Sequence, residues 1–132
     1  LVAGTAAGPI LRLTEPLSFW GGMDVATGCV IDQHHPQVGI CLTGAILVMP
    51  AGRGSSSSSS VLAEAIYAAT APAAIILSEP DVIVALGALV AKELYGLVCP
   101  VVVMAEVNCA GGMDVALKAD SVSASLLLTD IF

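Results

Sequence analysis

Six consecutive serines, Ser55 to Ser60, follow Ala51-Gly52-Arg53-Gly54 and precede Val61-Leu62-Ala63. Serine runs often serve as flexible linkers, but this one lies between a short apolar segment, Gly44 to Met49, and a stretch with helical spacing. A strand, a glycine-containing loop and a helix, in that order, aim backbone N–H groups and the positive end of a helix dipole at whatever rests on the loop. Glycines let the backbone approach a ligand closely, and small hydroxyls add hydrogen bonds without filling the site. The run therefore reads as a functional loop. No Lys lies near enough to complete G-x-x-x-x-G-K-[ST], which argues against a nucleotide phosphate cradle. G-x-S-x-G is also absent, which argues against an α/β-hydrolase nucleophile. A serine can still act as a base if a helix N-terminus and a nearby cation stabilise its alkoxide. Arg53 is the basic residue close in sequence.

A second group is Leu17-Ser18-Phe19-Trp20-Gly21-Gly22-Met23-Asp24, where two large aromatics run into two glycines. Two readings stay open. Trp20, Gly21, Gly22 and Asp24 border a site or a subunit interface, or they form a tight turn with a core tryptophan and a locally bonded Asp24. His34 and His35 are adjacent, so on an extended chain they point opposite ways and share no metal easily. The expectation is a solvated loop with one histidine, His35, facing a site or partner. Cys29, Cys41, Cys99 and Cys109 are widely spaced with no C-x-x-C pair. They read as free, buried thiols in a reducing compartment, with no metal bound by this chain. Gly111-Gly112-Met113-Asp114 repeats Gly21-Gly22-Met23-Asp24, and a hairpin turn accounts for it.

The elements that must position these residues follow from periodicity. Gly8 to Leu13 alternates and reads as a strand, interrupted by Thr14-Glu15-Pro16; Cys29 to Ile31 and Gly44 to Met49 read as short strands. Val61, Leu62, Ala65, Ile66 and Ala69 share one helical face, with a late serine as cap and Glu64 in the favourable first turn. Ala74 to Leu77 is a buried strand, Val82 to Glu93 a mostly apolar helix, Val98 to Met104 a strand, and Asp114 to Leu128 a terminal hairpin. The sum is one mixed α/β domain over residues 1–132 with a β-rich N-terminal half.

Composition narrows the function. The chain has 132 residues, 57% hydrophobic and 11% charged, with a net charge of -7. That acidity opposes nucleic-acid binding, which needs cations to displace counterions. So few charges favour an apolar face covered by another subunit or domain. The longest apolar run, Val82 to Ala91, is about half the ~20 residues that span a membrane. No signal peptide is visible. A cytoplasmic protein without membrane contact is expected, and Leu1 in place of Met suits a processed, trimmed or excised start.

Pro16-Leu17-Ser18-Phe19-Trp20-Gly21-Gly22-Met23-Asp24, Thr27-Gly28, His35-Pro36 with Gly39, and Gly52-Arg53-Gly54-Ser55 ahead of a serine-rich helix start together resemble the aconitase X small subunit. Ala71 to Ile76 and Ala85 to Ala91 continue the resemblance, which covers about Gly8 to Val103. It implies a swivelling β/β/α domain with a mixed sheet, a barrel-like β core and two main helices. It implies a hydro-lyase whose large subunit or domain carries an iron–sulfur cluster and most substrate contacts, with none bound by this chain. Ser55 then matches the serine that acts as base. Arg53, Gly54, Ser56 and Ser57 become substrate contacts. The family dehydrates cis-3-hydroxy-L-proline to pyrroline-2-carboxylate in one branch and mevalonate 5-phosphate in another. With so few cations to hold a phosphate, this chain leans toward the first. A non-enzymatic module that binds an anion or a protein through the serine loop is the competing reading.

Overall fold

The computed structural model describes residues 2–53, 56–104, 107, 111–120 and 124–128. In chain order its elements are β1 (Gly4–Arg12), α1 (Phe19–Gly22), β2 (Ile46–Met49), α2 (Ser58–Tyr67), β3 (Ala74–Leu77), α3 (Val82–Tyr95), β4 (Val101–Val103), β5 (Asp114–Ala119) and β6 (Ala124–Leu128). They build one six-stranded sheet in the order β4-β3-β2-β1-β5-β6. The first four strands of that order pair in parallel, and β5 and β6 add antiparallel.

Strand β1 links two sheet regions. Its Gly4 to Pro9 stretch pairs with β5, whereas Ile10 to Arg12 pairs with β2. Val2, just ahead of it, bridges Val101 in the far edge strand β4, which nearly closes the sheet. The mixed, barrel-like β core with two main helices is as expected. α1 is a single turn interrupted by non-helical geometry at Trp20 and Gly21.

Alternation along the parallel strands sorts side chains into two cores. Ala74 and Ile76 of β3 face one cluster with Ile46, Val102, Val115 and Leu117. Ile75 and Leu77 face the other, with Leu47, Met49, Leu62, Ile66 and Val84. All four β3 residues are buried, as in a parallel strand covered on both faces. The layers are β/β/α.

Several expectations are corrected. The N-terminal half is not β-rich: between Leu13 and Ala45 the described chain forms turns, α1 and isolated bridges. Gly21, Gly28, Gly39 and Gly44 all take positive φ there, which turns the chain too often for a strand to continue. Cys29 to Ile31 contributes only bridges, Cys29 to Cys41 and Val30 to Met23. Cys29 and Cys41 are not free thiols but a disulfide, because that bridge sets them opposite each other. Cys99 is free and buried; Cys109 lies outside the described residues.

Helix α2 takes up the end of the serine run, starting at Ser58, so Glu64 falls in its second turn. Ser57 occupies the N-cap position, yet its side chain makes no capping bond. The helix stops at Tyr67, leaving Ala69 outside it. Helix α3 has the stronger start: the Asp81 carboxylate accepts the Ile83 and Val84 amides at 2.9 and 3.1 Å, satisfying two N–H groups that no helical carbonyl can reach. Gly111 and Gly112 do not turn between β5 and β6; they lead into β5, with Gly112 N–H donating to the Ile10 carbonyl at 2.8 Å. Among the described residues no helix is long and apolar enough to cross a membrane.

Candidate functional site

The segments leaving β1, β2 and β3 emerge at the carboxyl ends of parallel strands, where open α/β sheets place their ligands. Leu17, after β1, bridges Gly52, after β2, so the chain entering the Trp20 turn runs beside Gly52. Asp81, after β3, lies beneath them. A Cβ on Gly52 would stand 2.5 Å from Asp81 Oδ2 and 2.9 Å from Val84 Cγ2, so only glycine lets the loop pass this close.

Between these segments lies a cavity of about 80 Å³, walled by Leu17, Phe19, Arg53, Ser58, Asp81 and Val84 among others. A second hollow of about 240 Å³ includes Arg12, Thr14, Met49 and Ser78 at the same strand ends. The Arg12 guanidinium donates to the Val107 carbonyl. Arg53, Ser56 and Ser57 are exposed. The Ser59 hydroxyl turns back onto the Ser56 carbonyl at 2.8 Å. Gly54 and Ser55 lie outside the described residues.

The Trp20 turn is a tight turn, as one of its two readings had it, but without a core tryptophan. Trp20 is not a core residue: it is 59% exposed, while its neighbour Phe19 is 1% exposed and fills the core. Gly21 takes a φ of 77°, the left-handed region that glycine enters without penalty. The turn rests on the first residue of α2, Trp20 N–H donating to Ser58 Oγ at 3.1 Å. It is therefore brought to the serine loop.

Asp24 and His35 are otherwise engaged. Asp24 Oδ1 accepts the Ala26 amide at 3.0 Å and Oδ2 accepts the Thr27 hydroxyl at 3.1 Å, closing its own turn. His35 is 2% exposed. Gln37 N–H donates to its Nδ1 at 3.0 Å, so the proton sits on Nε2, which donates to the Glu15 carbonyl at 3.2 Å. His35 thus ties its loop to the chain leaving β1.

The contact between Ser18 and Ser58 and the capping role of Asp81 escaped the sequence reading. Asp81 carried a usable signal, an acidic residue immediately before an apolar helical run. Ser18 and Ser58 carried none, because their partnership spans forty positions. Among the described residues no group of three His, Cys, Asp or Glu is placed to hold a metal ion. What the strand ends offer is a helix N-terminus, an exposed guanidinium and an exposed indole, suited to a small oxygen-bearing anion.

The sequence profile of the aconitase X swivel domain matches residues 1–123. A cis-3-hydroxy-L-proline dehydratase of Pseudomonas aeruginosa is 53% identical over 80% of the chain, which spans only 18% of that protein's length. A phosphomevalonate dehydratase small subunit of Methanothermobacter thermautotrophicus is 48% identical, with 67% of each chain covered. The crystal structure of Thermococcus kodakaraensis aconitase X in its holo-form superposes with a TM-score of 0.83 at 37% identity, covering 96% of this chain and 92% of that one.

Proposed function

The chain belongs to the aconitase X swivel-domain family, and we propose that it is the small catalytic component of a hydro-lyase that dehydrates cis-3-hydroxy-L-proline to pyrroline-2-carboxylate. The observation that carries this reading is the similarity to the Pseudomonas dehydratase, the higher of the two identities given above. The acidic chain, with four Lys and Arg against eleven Asp and Glu, also suits a substrate without phosphate. A phosphomevalonate dehydratase small subunit is the second reading, favoured by the 48% identity to the Methanothermobacter subunit.

In this mechanism Ser55, at the loop entering α2, removes the proton from the substrate α-carbon. The C–H electron pair forms the new double bond as the β-hydroxyl departs, and water is the second product. Ser55 precedes α2 by three residues in sequence, and the unpaired amides and dipole of a helix N-terminus would lower the cost of negative charge developing on its oxygen. Arg53 is exposed and free to reach the substrate carboxylate; Gly54, Ser56 and Ser57 complete the contacts.

The larger partner, as a subunit or a fused domain, supplies the iron–sulfur cluster. Of this chain's described cysteines, Cys29 and Cys41 are joined and Cys99 is buried with its thiol pushed up to about 12, so none offers an accessible thiolate. Such a cluster would supply Lewis acidity for the departure of the hydroxyl.

The test is dehydratase turnover of the assembled enzyme, wild type against Ser55→Ala. Wild type should act on cis-3-hydroxy-L-proline, and the variant should assemble normally and lose about 10² to 10⁴ of the rate, the usual share of a general base. Turnover of mevalonate 5-phosphate instead would keep the family chemistry and replace the substrate. Full activity in Ser55→Ala would remove Ser55 as the base.

A further inference from the structure

Ser58 is 4% exposed and shares only with His35 the distinction of being a buried polar side chain among the described residues. Its hydroxyl belongs to a closed circuit. An amide only donates, so Trp20 N–H gives its hydrogen to Ser58 Oγ at 3.1 Å. Ser18 Oγ uses its hydrogen on the Trp20 carbonyl at 2.9 Å. The remaining contact, 3.2 Å between the two hydroxyl oxygens, must then run from Ser58 to Ser18. Each hydroxyl donates once and accepts once, and bonds linked this way strengthen one another.

Both polar groups of the Trp20 backbone are held by this circuit, while the indole itself is largely in solvent. The turn has no helical regularity to fix it, since Trp20 (ψ 114°) and Gly21 (φ 77°) break the helix. The point where the indole leaves the backbone is therefore set through Ser58, which shares a cavity wall with Arg53. We propose that Ser58 is a positioning residue that holds the Trp20 indole against substrate entering the serine loop. This rests on the dehydratase reading above.

The assembled enzyme tests it through hydrogen exchange of the Trp20 amide and through steady-state kinetics on whichever of the two hydroxy acids the wild type dehydrates. Loss of one hydrogen bond of this kind corresponds to roughly a tenfold change. Ser58→Ala should therefore raise exchange at Trp20 about tenfold and raise KM about tenfold, with kcat nearly unchanged. Trp20→Ala should raise KM similarly, the double variant no further, and Ser58→Thr should restore both readouts. A merely structural serine would lower kcat through a smaller active fraction and leave KM alone; that pattern, an unchanged exchange rate, or additive effects in the double variant would overturn the proposal. A wild type inert toward both compounds defeats the dehydratase reading and the substrate-facing role with it, whereas unchanged exchange in an active Ser58→Ala enzyme defeats the positioning role alone.

Discussion

Gly87 of α3 lies so close to Ser59 of α2 that a methyl group on it would stand 2.7 Å from the Ser59 carbonyl oxygen and 3.1 Å from Leu62 Cβ. The obstructing oxygen is backbone, in the first turn of the helix that follows the serine loop, and cannot rotate aside. Gly87 thus fixes how closely α3 supports that turn. Glycine inside a helix ordinarily costs about 1 kcal/mol relative to alanine, so Gly87→Ala would stabilise the chain if space were available. The contact predicts the reverse, a loss of about 1–3 kcal/mol from overpacking. Displacing the loop proposed to carry the base by a fraction of an ångström should also cut turnover, by about tenfold to a hundredfold. Thermal unfolding and turnover of the assembled variant check both; a raised midpoint with full activity would show that the helices part easily.

Ala69 offers the opposite case. Its φ of 62° is the left-handed conformation, and no other described non-glycine residue has a positive φ. It follows α2 in a Schellman arrangement, with Ala69 N–H donating to Ile66 at 3.2 Å and Thr70 N–H to Ala65 at 3.0 Å. An L side chain there costs about 1–2 kcal/mol, partly offset by the greater unfolded-state freedom of glycine. Ala69→Gly should therefore stabilise the protein by up to ~1 kcal/mol. A denaturant midpoint that fails to rise would mean the conformation carries no penalty in this context.

The strands and helices behind the site were largely legible because their signals are local. Ala74 to Leu77 is a short apolar run of strand length, and Val82 onward is an apolar run of helix length. The stretch from Leu13 to Ala45 was not legible as structure. Its organisation comes from distant pairs such as His35 with Glu15 and Gln37 with Arg12, which no periodicity encodes. The Cys29–Cys41 link was missed for the same reason: twelve positions apart, the two residues meet only because the turns over residues 33–39 fold the intervening loop back. Trp20 was legible as notable but not as exposed, since a lone tryptophan beside glycines has the same pattern in a core.

The disulfide encloses the loop that carries His35 and Gln37, which hold Glu15, Thr14 and Arg12 at the exit of β1. Backbone bonds flank it, Val30 N–H to Ile40 and Leu42 N–H to Gly28, both at 2.8 Å. Reduction should therefore leave the fold intact and lower its stability by about 2–4 kcal/mol, through the freedom regained by the unfolded loop. Wild type with and without dithiothreitol, beside Cys29→Ser/Cys41→Ser, should separate by midpoint, with thiol titration reporting the link directly. Identical midpoints would mean that the link contributes nothing. In a reducing compartment the opened form is the relevant one, so oxidation state and stability should vary together.

Cys99 makes a pH-dependent contribution of definite sign. Its thiol is 2% exposed and donates to the Pro72 carbonyl at 3.5 Å. Burial pushes it from 9.0 up to about 12. Between those values the unfolded chain releases a proton that the folded protein keeps, so unfolding becomes easier as pH rises. The contribution is fully present below pH 9 and is lost toward pH 12, by at most ~1.4 kcal/mol per unit. Comparing wild type with Cys99→Ala isolates it, because every other titrating group is common to both. The wild type should lose more of its denaturant midpoint between pH 8 and 10 than the variant does. Its thiol should resist alkylation at pH 8 until the chain unfolds. Equal losses in the two proteins, or rapid alkylation of the native thiol, would show that Cys99 reaches solvent.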